Sequence, residues 1–138
     1  MNNDYVIVCG ATSDLPLQAI TEFGIEVIPM SVQLGSDDFS YHPDEKALTC
    51  KTFYERLRAG EDSKTSQITP LVFKETFASF LKEGKDVLFL SFSSGLSGTY
   101  NSACLMAEDV MEEYPERRVV CVDSLCASIG EGLLVYLA

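Results

Sequence analysis

The chain has 138 residues, of which 46% are hydrophobic and 22% charged, and its formal net charge at pH 7 is −11. This size and composition predict one soluble globular domain with one core, and they exclude a disordered chain. Because basic residues are few, we do not expect the protein to bind nucleic acid. No apolar run approaches the roughly 20 residues of a membrane span, so we expect no integral membrane segment. No signal peptide is recognisable, and we therefore expect a cytoplasmic protein.

Apolar runs typical of buried strands alternate along the chain with segments of helical periodicity. Predicted strands cover residues 4–9, 26–34, 86–92 and 118–123, with a hairpin arm at 39–41. Predicted helices begin in the cluster 12–16 and end at Gly24, run over 49–60, 69–84 and 100–114, and begin again near residue 125. Strands that alternate with helices in this way predict an α/β fold, with a mostly parallel sheet and helices on both faces.

Three residues mark the ends or breaks of these elements. Thr49 and Thr69 are predicted N-caps, the second followed by proline at the first helical position. Pro29 has no N–H to donate to a strand ladder, so we expect it at an edge or a bulge. The polar triplet at 65–67 is predicted to lie in a loop that leads into the next helix.

Hydroxyl side chains follow several of the predicted parallel strands. They are Thr12 and Ser13 after the first, Ser93 to Thr99 after the central one, and Ser124 after the last. Ligands of such sheets bind at the carboxyl ends of the strands. The three hydroxyl clusters are therefore predicted to share one edge of the sheet and to line a binding site.

The stretch from Ser91 to Ala103, SFSSGLSGTYNSA, is the strongest candidate for that site. Its hydroxyls donate hydrogen bonds, Gly95 and Gly98 let a ligand approach the backbone, and the following helix start favours a negative group. The alternative is that Ser97 only caps the helix, and spacing alone favours neither interpretation.

Two further hypotheses can be weighed on the same stretch. A serine hydrolase that uses Ser97 is disfavoured because the G-x-S-x-G pattern is not matched and the only histidine, His42, lies in a distant polar loop. A small-anion or phosphate site is disfavoured because no basic residue lies nearby and no P-loop spacing is present. A singly charged carboxylate needs less compensation than a phosphate, so the residues favour a carboxylate.

The cysteines and the histidine argue against a metal site. Five cysteines are an odd number, and none has the paired spacing of metal ligands. We expect them to be reduced, buried thiols. With His42 as the one histidine, a zinc site has too few ligands. We therefore expect neither a metal nor another cofactor.

The motifs TSDLP at 12–16, TSQ at 65–67 and LSGTY at 96–100, followed by Asp123 and Ser124, together resemble the N-terminal part of the DegV family of fatty-acid-binding proteins. Two of them, TSQ at 65–67 and LSGTY at 96–100, are specific in this order and separation, and the likeness runs almost end to end. The residues that carry it are TSDLP at 12–16, 23–29, Phe53, Tyr54, TSQ at 65–67, 93–100, Ser102, Ala103, Asp123, Ser124, Gly130 and Gly132.

The resemblance implies a carrier without catalytic residues, which binds a long-chain fatty acid and presents its carboxyl group to a separate fatty acid kinase. In similar proteins a threonine of TSQ and a serine of the LSGT turn hold the carboxylate, which implies Thr65 and Ser97 here, with Gly98 N–H and Ser94 as further donors. The pocket edge is expected at Thr12, Ser13, Ser66, Ser93 and Ser124. Residues 1–138 would then be one lipid-binding domain, the N-terminal part of a two-domain protein.

Overall fold

The computed structural model describes residues 4–138. The strands are β1 (Tyr5–Gly10), β2 (Glu26–Ile28), β3 (Met30–Leu34), β4 (Asp37–Tyr41), β5 (Ser63–Ser66), β6 (Asp86–Ser91) and β7 (Val119–Asp123). The helices are α1 (Leu17–Phe23), α2 (Cys50–Arg58), α3 (Pro70–Lys82), α4 (Thr99–Glu113) and α5 (Ile129–Leu137). A short 3₁₀ turn, Ala11–Ser13, follows β1.

Four parallel strands in the order β2-β1-β6-β7 form the main sheet, and helices cover both of its faces. On one face, Phe73 of α3 packs edge-on against Phe89 of β6, with ring centroids 5.2 Å apart, in a core that includes α4. On the other face, Ile20 of α1 and Val135 of α5 pack with Leu90 of β6. Successive strand residues point to opposite faces, so the apolar run of β6 serves both cores. The predicted α/β class is confirmed.

The segment predicted as one strand, 26–34, is divided between two sheets, so that prediction is wrong. β2 pairs in parallel with β1, whereas β3 is the central strand of a separate antiparallel sheet in the order β4-β3-β5. The division falls at Pro29, where no N–H is available for a ladder. The predicted hairpin arm at 39–41 lies within β4, which pairs antiparallel with β3.

The TSQ triplet also differs from its predicted loop conformation. Thr65 and Ser66 end β5, and they pair with Val32 and Ser31 of β3. Nothing in the local sequence indicates this strand, because its stability depends on a partner about 30 residues away. The consequence for the site is that Thr65 stands on a hydrogen-bonded strand with a defined direction.

Helix starts are predicted well where a threonine caps them. Thr49 Oγ1 accepts a hydrogen bond from the N–H of Thr52 at 3.1 Å, and Thr69 Oγ1 accepts one from Val72 at 3.4 Å. The first helix is different, because residues 11–13 at the start of the predicted cluster form the 3₁₀ turn and α1 begins only at Leu17. The last helix likewise begins later than predicted, at Ile129.

The five cysteines are free thiols, but they are not uniformly buried as expected. Cys9 is buried in β1, whereas Cys50 and Cys126 are exposed, so the expected burial is wrong for these two. Within residues 4–138, no helix is both long and apolar enough to cross a membrane. The same residues contain no group of three or more His, Cys, Asp or Glu side chains that could hold a metal ion.

Candidate functional site

The hydroxyl clusters meet at one edge of the parallel sheet, as predicted. β1, β6 and β7 are neighbouring parallel strands, and they end at Gly10, Ser91 and Asp123, the last two of which are paired. The chain leaves each strand at this edge and turns across it. The turns after β1, β6 and β7 therefore form a common rim, which faces β5 of the antiparallel sheet.

A cavity of about 290 Å³, which we call the first cavity, lies between this rim and the antiparallel sheet. It brings together four of the predicted site residues, Thr12, Thr65, Ser66 and Ser97. Ala11, Met30, Gln67, Ile68, Phe92, Leu96 and Thr99 complete the lining. Hydroxyl and amide groups thus face a chamber whose other walls are apolar.

Ser97 lies at the start of α4 with its hydroxyl partly engaged. Its Oγ accepts a hydrogen bond from the N–H of Thr99 at 3.2 Å and lies 2.9 Å from the Thr99 hydroxyl. If Thr99 donates that second bond, the Ser97 O–H is left to donate to a ligand in the cavity. The N-cap of α4 is Gly98, which has no side-chain cap hydrogen bond, so the alternative in which Ser97 only caps the helix is wrong.

Gly98, in the LSGTY motif, contacts Gln67 of the TSQ motif. A Cβ at this position would stand 3.1 Å from Oε1 and 3.3 Å from Nε2 of Gln67, which is tighter than an ordinary contact. Glycine is thus required for close approach here, since its φ of −75° suits any residue. Gly98 itself is not among the residues that line the first cavity, although its neighbours Ser97 and Thr99 are. Among the described residues, no protein group accepts its N–H.

The exposed side of the SFSSGLSGT turn is held by hydrogen bonds within the protein. The N–H of Ser94 donates to Asp123 Oδ1 at 3.1 Å, and the N–H of Gly95 donates to Ser93 Oγ at 3.2 Å. Hydrogen bonds from the Ser94 side chain and from the N–H groups of Leu125 and Ser94 lower the pKa of Asp123. These hydrogen bonds of Ser93 and Ser94 fix the shape of the turn. Neither residue lines the first cavity.

Two further predicted residues also lie outside the lining. Ser13 is fully buried, and its Oγ is 3.5 Å from the thiol of Cys9. Ser124 bonds locally, with its Oγ donating to the carbonyl of Cys126 at 3.2 Å and accepting from the N–H of the same residue at 3.1 Å. Neither serine lines the first cavity, and the hydroxyl of each has a partner within the protein.

The first cavity has no charged lining residue, but a buried carboxyl stands behind it. Glu131, in the first turn of α5, is fully buried. Its Oε2 and Oε1 lie 2.9 and 3.2 Å from the hydroxyl of Thr12, which lines the cavity. Burial raises the pKa of Glu131 to about 7. Neutral and ionised forms of this carboxyl are therefore both populated near neutral pH.

Sequence reasoning did not single out Glu131, although a signal was present. Gly130 and Gly132 flank it in an otherwise apolar segment. A Cβ at Gly132 would clash with the carbonyl oxygen of Ser13, so α5 approaches the turn after β1 more closely than any other residue would permit. A charged residue between two glycines that pack this closely is carried into the interior with them.

A second, more apolar cavity of about 240 Å³ adjoins the first. The two share Met30 and Thr65 as lining residues, so they lie on either side of the same part of β3 and β5. The other lining residues come mainly from β3, β4, α2 and the segment before α2: Asp14, Val32, Tyr41, Leu48, Thr49, Cys50, Phe53 and Tyr54. A polar cavity and a more apolar cavity thus stand next to each other at Met30 and Thr65.

The requirements of the two alternative functions are not met in this cavity. His42 pairs with Asp44 in its own loop, 3.4 Å from Nδ1 to Oδ1, and is not among the residues that line the first cavity. Ser97 instead has Thr99 as its hydroxyl partner. The lining also contains no lysine or arginine to compensate a phosphate.

The sequence of this chain matches a protein family and several curated proteins. A family model described as "Uncharacterised protein, DegV family" matches residues 4–138. A DegV domain-containing protein of Clostridium perfringens is 37% identical over 134 residues, which cover 97% of this chain and 46% of the relative. The chain thus spans just under half the length of the curated relatives that it matches.

Solved structures give the same result. A DegV family protein from Thermus thermophilus, described for its fatty acid binding, matches with a TM-score of 0.80 and 32% identity, covering 95% of this chain and 44% of that one. A Thermotoga maritima protein, described as revealing a fatty acid binding function, matches with a TM-score of 0.78 and 33% identity, covering 96% and 47%.

Proposed function

The chain belongs to the DegV family, and on this premise we propose that it binds a long-chain fatty acid with the carboxyl group in the first cavity. One observation carries the proposal: an uncharged, hydroxyl-lined cavity at a helix start adjoins a more apolar cavity, and Met30 and Thr65 line both. That arrangement fits a ligand with one singly charged head and a long apolar tail. Fatty acid binding in the related structures supports it.

In this proposal Thr65 and Ser97 donate to the carboxylate from opposite walls of the first cavity, and the Gly98 N–H is a third donor. Hydrogen bonds to a charged acceptor are stronger than those to a neutral one, so hydroxyl and N–H groups at a helix start hold a carboxylate without a cation. Ser94 remains a candidate donor only if the turn rearranges, because its N–H already donates to Asp123.

The acyl tail extends past Met30 into the second cavity, where Val32, Leu48 and Phe53 surround it. Each buried methylene contributes about 0.8 kcal/mol, whereas a helix N-terminus contributes only about 0.3–1 kcal/mol to an anion at an exposed site. The tail therefore supplies most of the affinity. The hydroxyl pair fixes which end of the lipid enters first and where its carboxyl group stops.

We further propose that the protein is a carrier without catalytic activity, and that it presents the carboxyl group to a separate fatty acid kinase for acyl-phosphate formation. Thr65, Ser66 and Gln67 are exposed, so a carboxyl group between them and Ser97 lies at an opening of the cavity and is accessible to another protein. The bound fatty acid is the ligand, and no cofactor is required.

Mass spectrometry of organic extracts from the purified protein tests the proposal. A co-purifying fatty acid is the expected result. A nucleotide or sugar phosphate would favour the small-anion site, and ester hydrolysis abolished by Ser97→Ala would favour the hydrolase. An extract with no bound small molecule, together with no thermal shift on addition of fatty acids, would contradict the carrier role.

A further inference from the structure

Glu131 has an unusual environment for a glutamate. It is fully buried at the start of α5, and its hydrogen-bond partner within residues 4–138 is the hydroxyl of Thr12. No lysine or arginine forms an ion pair with it in this part of the chain. A buried carboxylate that is supported by one hydroxyl alone is poorly compensated. Its neutral form is correspondingly favoured.

The groups around Glu131 do not supply a positive charge. The turn after β1 contributes Asp14, which adds to the repulsion of a negative charge, and β1 contributes the thiol of Cys9. The titratable residue of β6, Asp86, lies at the other end of its strand. Asp14 itself accepts a hydrogen bond from the hydroxyl of Ser128 at 2.5 Å. The charge state of Glu131 thus depends on burial, on Asp14 and on Thr12.

The O–H bond of Thr12 can point in two directions, because the hydroxyl lies between Glu131 and the first cavity. When Glu131 is ionised, the carboxylate can only accept, so the Thr12 O–H must point towards it and is not available to the cavity. When Glu131 is protonated, its own O–H can donate to Thr12 Oγ1. The Thr12 proton is then free to point into the first cavity, which Thr12 lines.

We infer that protonated Glu131 turns Thr12 into a further hydrogen-bond donor to the bound carboxylate, so that fatty acid binding is coupled to protonation of Glu131. Glu131 is a positioning residue here, since it acts through Thr12 and does not line the cavity. The inference rests on the proposed function, and it adds that pH regulates the affinity for the fatty acid. No covalent step is involved, because the proton comes from solvent and stays on Glu131 while the lipid is bound.

The direction of the pH effect follows from these two states. Burial raises the pKa of Glu131 to about 7, so a rise in pH through neutrality ionises it in the free protein. Ionisation withdraws the Thr12 donor and adds a like charge behind the ligand's carboxylate. Affinity is therefore expected to be high on the acid side of neutrality and lower on the alkaline side. By linkage, the bound lipid raises the pKa of Glu131 further.

Binding of hexadecanoic acid at about pH 6 and about pH 8.5 tests the inference, measured by calorimetry on the wild type and on Glu131→Gln. The lipid titrates identically against both proteins, so its own ionisation cancels in their ratio. The dissociation constant of the wild type is expected to rise about tenfold more than that of the variant, the equivalent of a shift of about one pKa unit on binding. The side-chain amide introduced by Glu131→Gln keeps a donor to Thr12 at both pH values.

Two further variants make the result specific to Thr12. Thr12→Val is expected to bind weakly at both pH values and to keep only the smaller part of the pH effect that the like charge of Glu131 causes. Glu112→Gln, at an exposed position on α4, is expected to retain the whole effect. Equal pH profiles for the wild type and Glu131→Gln, or a wild-type profile in Thr12→Val, would overturn the inference while leaving fatty acid binding intact. Absence of binding by the wild type at both pH values would overturn the proposed function and the inference together.

Discussion

Gly98 stands against the side chain of Gln67, so close that a Cβ would lie 3.1 Å from its Oε1. The first residue belongs to the turn after β6 and the second follows β5, so this contact joins the two sheets at the first cavity. It brings the TSQ and LSGT motifs together in space. Each motif supplies one wall, and the glycine allows the walls to approach.

Gly98→Ala tests this contact. The new methyl displaces the flexible end of Gln67 by a few tenths of an ångström, so the free energy of unfolding should change by less than about 0.5 kcal/mol. Fatty acid affinity should fall about threefold because the walls shift and the Gly98 donor moves. In the double variant Gly98→Ala/Gln67→Ala the two effects should not add. Additive effects in calorimetric titrations would contradict direct packing of the two residues.

Thr65→Val and Ser97→Ala should each remove one donor to the carboxylate. A lost hydrogen bond of about 1 kcal/mol weakens binding about fivefold, whereas shortening the lipid by four methylenes costs about 3 kcal/mol. Phosphorylation by a fatty acid kinase should be impaired more than lipid retention, because it depends on carboxyl position. Thr65→Ser keeps the hydroxyl and is the matched control. Unchanged phosphorylation in Thr65→Val and Ser97→Ala would exclude the assigned head-group contacts.

Gly132→Ala should destabilise the protein more than Gly130→Ala in the same helix. At residue 132 the methyl clashes with the backbone carbonyl of Ser13, whereas at 130 it meets Cys126 Cβ at 3.2 Å. Overpacking against backbone should cost about 3 kcal/mol and lower Tm by about 10 °C, and the gain in helix propensity should offset the milder contact at 130. Thermal unfolding followed by circular dichroism measures both. Equal Tm values would show that α5 does not pack closely on the turn after β1.

Stability should depend on pH through Glu131. Its pKa is raised from an ordinary value of 4.5 to about 7, so between these values the folded protein holds a proton that the unfolded chain has lost. The contribution is complete below about pH 4.5 and is lost as pH rises through about 7, a total of about 3 kcal/mol. Glu131→Gln should therefore gain stability over the wild type between about pH 5 and about pH 8 in urea unfolding. A constant difference across that range would refute the raised pKa.

The sequence predicts the main sheet and the capped helices because their signals are local. Apolar runs define β1, β6 and β7, and single threonines cap α2 and α3. The second sheet was not predicted, because β5 is polar and is held only by pairing with β3. Pro29, noted as an exception within one strand, is the point at which the chain passes from one sheet to the other.

The candidate site shows the same division between local and distant signals. The hydroxyl motifs that line the first cavity were visible as motifs, and parallel topology accounts for the shared edge of Thr12 and Ser97. The place of Thr65 at the same cavity depends on the pairing of β5 with β3. The burial of the Glu131 carboxyl was not predicted, because it depends on packing against Thr12, 119 residues away along the chain, and the two flanking glycines are its only local signal. Its relation to the cavity is a property of the folded chain.

The most direct test of the central claim compares hexadecanoic acid with hexadecanol as ligands of the wild type and of the double variant Thr65→Val/Ser97→Ala. Both ligands have the same tail, so a difference in affinity reports the head group alone. We predict one bound lipid per chain and a preference for the acid of about tenfold or more in the wild type, which the double variant loses. Absence of binding, or equal affinity of the wild type for acid and alcohol, would contradict a carboxylate held by Thr65 and Ser97.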